Sequence, residues 1–109
     1  MTHIFEGDFG SVEDVISNFN LDTAQAEVLR AADRVYAVYG YEDYDGWAFV
    51  LYRTQGRWYE VHGSHCSCYG LEGQWEPEEA VLQAVARYSR NTVGWKAFIT
   101  QALAEEANG

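Results

Sequence analysis

The run Arg34-Val35-Tyr36-Ala37-Val38-Tyr39-Gly40-Tyr41 constrains the fold more than any other part of the chain. It is rich in β-branched and aromatic residues and apolar at alternate positions of both phases, which suits a central strand. Trp47 to Arg53 predicts a second strand. Arg57 to His62 predicts a third, with Trp58, Glu60 and His62 on one face and Tyr59 and Val61 on the other. Glu42-Asp43-Tyr44-Asp45-Gly46 reads as the first turn, Asp45-Gly46 supplying a positive φ, and Thr54-Gln55-Gly56 as the second. Three consecutive strands joined in this way form an antiparallel meander.

Helical patterns flank the meander. Ser11 followed by Asp14 resembles a capping box, and Val12, Val15, Ile16 and Phe19 recur at helical spacing until Asn20. Asp22-Thr23 can cap a second helical segment, roughly Thr23 to Ala32, although Val28 and Leu29 could also begin a strand. Pro77 suits a first helical turn, with Glu78 and Glu79 at its positive end and Val81, Ala84, Val85 and Tyr88 as its apolar stripe. After Asn91-Thr92, the residues Trp95, Phe98, Ile99, Ala102 and Leu103 line a final helix. The expected fold class is therefore α+β. A three-stranded antiparallel β-meander has helices before and after it, packed on one sheet face. A chain of 109 residues forms one domain, residues 1–109, with 48% hydrophobic residues to fill a core. No apolar run is long enough for a membrane span, and no secretory signal is visible at the amino terminus, so a cytoplasmic protein is expected.

Seventeen carboxylates stand against seven bases, a net charge of −10. Residues 1–52 hold ten acids with only Arg30 and Arg34, a net of −8, and residues 53–109 hold seven acids and five bases, a net of −2. Binding to a phosphate backbone needs a basic footprint, so direct contact with nucleic acid is not expected. A field of this sign attracts basic protein surfaces; it also serves simply to keep a small protein dissolved. The segment Tyr39-Gly40-Tyr41-Glu42-Asp43-Tyr44-Asp45-Gly46-Trp47 interleaves carboxylates with rings. Charge there would steer a basic partner while the aromatics supply contact area. Tyr41, Glu42, Asp43, Tyr44 and Asp45 are thus the first candidate contact residues, and Glu13 and Asp14 of the acidic first helix are the second.

Both cysteines and two of the three histidines crowd into His62-Gly63-Ser64-His65-Cys66-Ser67-Cys68. His62, His65, Cys66 and Cys68 are donor types that zinc accepts. Structural zinc sites usually draw ligand pairs from separate segments, whereas these four lie within seven residues. A zinc module is therefore the alternative, and no cofactor the main expectation. A thiol-dependent enzyme is a further alternative, with Cys66 or Cys68 as nucleophile, His62 or His65 as base and Glu60 or Glu72 as orienter. Free cysteines and turn-forming glycines also make an ordinary compact loop.

Tyr44-Asp45-Gly46, followed by Tyr59-Glu60-Val61-His62-Gly63-Ser64-His65-Cys66-Ser67-Cys68-Tyr69-Gly70-Leu71-Glu72-Gly73-Gln74-Trp75-Glu76-Pro77-Glu78, resembles small proteins encoded by bacteriophages and prophages. The resemblance spans roughly the middle third of the chain and transfers no catalytic or binding residue. It implies a viral origin and action in the cytoplasm of an infected bacterium. By analogy with small acidic phage inhibitors, it implies a non-enzymatic protein that binds a basic, nucleic-acid-binding host defence factor such as a CRISPR effector or nuclease.

Overall fold

The computed structural model describes residues 2–42, 45–65, 70–88 and 92–108; the side chains of Tyr41, Glu42, Asp45, His65 and Asn108 are outside that description. Its elements are β1 (Thr2–Gly7), α1 (Val12–Phe19), α2 (Thr23–Ala31), β2 (Arg34–Glu42), β3 (Asp45–Thr54), β4 (Arg57–His65), β5 (Glu78–Ala80), α3 (Leu82–Val85) and α4 (Val93–Asn108). The five strands form one mixed sheet in the order β1-β2-β3-β4-β5. β1 runs parallel to β2, and the remaining neighbours are antiparallel.

This architecture corrects the three-stranded expectation. The meander strands lie where the apolar runs place them, but β1 and β5 extend the sheet at both edges. The helices also cover both faces of the sheet, not one. The cause is the double apolar character of β2 and β3. Val35, Ala37, Tyr39, Ala48, Val50 and Tyr52 pack with Val15, Phe19 and Leu29 of α1 and α2. The alternate residues Tyr36, Val38, Phe49 and Leu51 pack with Trp95, Phe98, Ile99 and Ala102 of α4 and with Leu82 and Val85 of α3. A single helical layer would leave one of these sets in water. Each large side chain in either set gains roughly 1.5–3 kcal/mol from full burial.

The local corrections have equally specific causes. β1 needs a crossover to reach β2 in parallel, and the helix pair α1–α2 is that crossover. Gly46 is not a turn residue: it pairs with Tyr41 on β2 and His65 on β4. The expected helix from Pro77 begins later. Glu78, Glu79 and Ala80 pair with Glu60, Tyr59 and Trp58, so their backbone groups serve the sheet. Only Leu82–Val85 is helical there, and Val81 is 65% exposed rather than part of an apolar stripe.

Other signals act as the residues suggest. Ser11 Oγ accepts from the Asp14 amide at 3.2 Å, and Asn20 ends α1 in the left-handed region at φ 54°. Asp22 and Gln25 form a reciprocal capping box at the start of α2. Gln55 and Gly56, at φ 52° and 78°, make the two-residue turn between β3 and β4.

Candidate partner-binding surface

Tyr52 and Tyr59 face each other in the β3–β4 register, and their rings stack at 5.5 Å and 25°. Trp75 also stacks on Tyr52, at 5.9 Å and 13°, and meets Phe19 in a T-shaped contact at 5.1 Å. Gln74 places this tryptophan. Its side chain accepts from the Ser64 amide at 2.8 Å and donates to the carbonyls of Ser64 and Gly70 at 2.6 and 2.8 Å. One amide thus ties both ends of the cysteine-bearing loop together.

Beside the stack is a cavity of about 170 Å³ lined by Gln25 and Val28 of α2, Tyr52, Trp75 and Pro77. Tyr52 is 4% exposed and its hydroxyl makes no hydrogen bond among the described residues. Burial, with the neighbouring Tyr59 adding to it, pushes its phenol up to about 12.

Most acids with described side chains are engaged, although Asp8 and Glu27 are exposed and form no ion pair. Glu13 receives two hydrogen bonds from Arg30, at 2.7 and 2.9 Å, which hold its carboxyl below the ordinary value. Asp33 pairs with Arg34 and Arg53, Glu105 with Arg34 and Glu106 with Arg53. Asp14 accepts from the Gly10 amide at 2.7 Å, and Asp22 caps α2. By contrast Glu72, Glu76, Glu78 and Glu79 are exposed and form no ion pair among the described residues. They occupy the approach to β5 and the edge strand itself. No Lys or Arg occurs between Arg57 and Arg87, so nothing in this stretch offsets them.

The candidate residues named from the sequence fare unevenly. Asp43 and Tyr44 lie outside the described residues. Tyr41, Glu42 and Asp45 contribute backbone to the β2–β3 hairpin end, where Glu42 pairs with Asp45. Glu13 and Asp14 are engaged internally, as above. Of the four zinc candidates, Cys66 and Cys68 lie outside the described residues, as does the His65 side chain. His62 is exposed, with Nε2 2.7 Å from Glu60 Oε1, an oxygen that also accepts from Tyr88 at 2.7 Å. Among the described residues no three His, Cys, Asp or Glu side chains group as metal ligands. The exposed set Glu72, Glu76, Glu78 and Glu79 is not singled out by the sequence reading, because Glu78 and Glu79 read as helix-start charges. The base-free interval from Arg57 to Arg87 is the sequence signal that sets these acids apart.

A larger cavity, about 370 Å³, opens between β1 and the start of α1, walled by His3, Phe5 and Val12 with the Glu13–Arg30 pair at its side. Its walls are mainly apolar, and its one carboxylate is already matched by a guanidinium.

Comparison of the chain with protein-family models, curated proteins and solved structures returns no match. Among the described residues no helix is long and apolar enough to cross a membrane.

Proposed function

We propose that this chain is a non-enzymatic binding protein whose partner presents a basic protein surface. The observation that supports it is the segregation of charge. Glu13, Asp14, Asp22, Asp33, Glu105 and Glu106 are paired or capping, while Glu72, Glu76, Glu78 and Glu79 are exposed without an ion pair among the described residues, on and before the edge strand β5, in the same part of the chain as the half-buried Trp75. Unpaired carboxylates in a base-free stretch project a field that steers a cationic partner and sets its orientation. Tyr41, Glu42, Asp43, Tyr44 and Asp45 belong to the proposal as a second acidic–aromatic segment of the sequence. Following the resemblance to phage proteins, the partner is a nucleic-acid-binding host factor such as a CRISPR effector or nuclease, met in the bacterial cytoplasm.

The test is affinity capture from the host, then titration of the captured protein at low and moderate salt. The chain and the variant Glu72→Gln/Glu76→Gln/Glu78→Gln/Glu79→Gln are compared. Affinity is expected to fall at least about tenfold with salt and again with the variant. Binding indifferent to both would refute the reading.

A second reading draws on the Glu60–His62 contact. A carboxylate-oriented imidazole is part of a nucleophile–base arrangement, with Cys66 or Cys68 as the thiol. It expects one cysteine to be alkylated quickly at neutral pH, and more slowly in Glu60→Gln. Slow, equal alkylation of both thiols removes it.

A further inference from the structure

We infer that β1 takes up an extended peptide segment of another protein as an added antiparallel strand, and that one large apolar side chain of that segment enters the cavity between β1 and α1. The site lies at the opposite edge of the sheet from the acidic one proposed above, and goes beyond that reading.

The backbone of β1 defines the first half of the site. β1 ends the sheet, and among the described residues no strand pairs with its outer side. The Thr2 amide donates to the Asp33 carbonyl at 3.1 Å and the Asp8 amide to the Tyr39 carbonyl at 2.9 Å. In a parallel ladder alternate residues serve the same neighbour, so in the observed register Thr2, Ile4 and Glu6 are spent on β2. The amides and carbonyls of His3 and Phe5 therefore point outward, and no hydrogen bond to those four groups occurs among the described residues. Such a row of free donors and acceptors is spaced for another extended backbone.

The cavity defines the second half. His3 and Phe5 register opposite Val35 and Ala37, which belong to the core under α1 and α2, so their side chains lie on that face of the sheet. There they wall the cavity of about 370 Å³ together with Ser11 and Val12. Residues opposite each other in an antiparallel pair share a face. A residue that exchanges hydrogen bonds with Phe5 thus sends its side chain to the cavity, where the walls are mainly apolar. A free small molecule would leave the row of backbone groups unmatched.

Charge selects between a foreign segment and a second copy. Residues 1–52 carry a net charge of −8, so two copies meeting along β1 repel each other. Arg30, the first base in the chain, is held by Glu13 through two hydrogen bonds. Asp8, just past the end of β1, is exposed without an ion pair. The fitting segment therefore has a large apolar residue with a cationic one three positions before it, the offset that an antiparallel register sets between Phe5 and Asp8.

The test uses the full chain labelled with nitrogen-15 and the peptide acetyl-Lys-Thr-Val-Leu-Val-Thr-amide. The peptide is expected to shift the amide resonances of His3 and Phe5 most, and at saturation to slow exchange of the Phe5 amide about fivefold or more. N-methylation of the leucine removes an N–H aimed at Phe5 and should weaken binding at least about tenfold. N-methylation of the following valine, whose N–H points away from β1, should change it less than about twofold. Serine in place of leucine should weaken binding at least about fivefold, and glutamate in place of lysine at least about threefold at low salt.

Unmoved His3 and Phe5 amides, equal losses from the two N-methyl groups, or undiminished binding of the serine peptide would each overturn the inference. Protection of the Phe5 amide that rises with protein concentration in the absence of peptide would overturn it in favour of a second copy. The variant Glu72→Gln/Glu76→Gln/Glu78→Gln/Glu79→Gln is expected to bind the peptide as the unmodified chain does, because its changes lie at the other edge. Loss of the peptide in that variant would refute the placement on β1, whereas loss of the host partner alone would bear only on the acidic edge.

Discussion

Gly40 and Trp47 face each other across the β2–β3 ladder, and the indole occupies the space that a side chain on Gly40 would need. A Cβ there would fall 2.7 Å from Trp47 Cζ2 and 2.8 Å from Cε2. Glycine inside a strand is weakening by itself, so its place here is explained by this close approach. Gly40→Ala is expected to cost about 1 kcal/mol or more through overpacking, read as a lower urea midpoint. In a Trp47→Thr background the same change should become neutral or favourable by about 0.5 kcal/mol, because alanine restricts the unfolded chain. Equal costs in the two backgrounds would contradict the steric account.

Gln74 makes three hydrogen bonds that join Ser64 to Gly70. Gln74→Ala should accelerate amide exchange at Ser64 about tenfold or more while lowering global stability by about 1–2 kcal/mol. Gln74→Glu is expected to be no better. It keeps an acceptor for the Ser64 amide but sets an anion against two carbonyl oxygens. Rescue by glutamate would show that the contact to the amide alone holds the loop.

Glu6 of β1 accepts from Tyr36 and, at 2.6 Å, from Thr92, whose oxygen in turn receives the Trp95 amide at 3.1 Å. The carboxylate therefore anchors the start of α4 to the sheet edge. Gly94 is part of the same fit, since a Cβ there would lie 2.8 Å from the Glu6 carboxyl carbon. Glu6→Ala should cost about 1–3 kcal/mol, and Thr92→Val about 1 kcal/mol. Because the two share one network, the double variant should lose clearly less than the sum by chemical denaturation. Strict additivity would mean that the helix start is held elsewhere.

Legibility followed the reach of each determinant. β2 could be read because its two apolar phases lie in one short run, and Ser11, Asn20 and Asp22 because capping is a local hydrogen-bond problem. β1 could not. Thr2-His3-Ile4-Phe5-Glu6-Gly7 is short and mixed, and its strand character comes from a partner 32 residues away, Thr2 opposite Arg34. β5 went further against expectation: two glutamates and an alanine favour a helix, and pairing with β4 overrides them. The cavity beside Trp75 was hidden for the same reason. Its walls come from α2, β3 and the segment after the cysteine loop, so no spacing along the chain announces it. The acidic edge was legible in principle, because a base-free interval needs no structure to see.

Tyr52 gives the alkaline prediction. Burial raises its phenol from 10.0 to about 12 because the phenolate is the form that burial disfavours. For a group whose folded value lies above its unfolded one, the stabilising contribution is complete below the unfolded value, about 10, and disappears as pH rises through about 12. A gap of two units corresponds to about 2–3 kcal/mol at most. Urea unfolding at about pH 9, 10 and 11 should therefore show a steeper loss of stability in the wild-type chain than in Tyr52→Phe. Ultraviolet difference titration of the folded protein should show a late tyrosine ionisation whose amplitude is smaller in the variant. Parallel stability curves for the two proteins would mean that burial does not disfavour the Tyr52 phenolate in the folded chain.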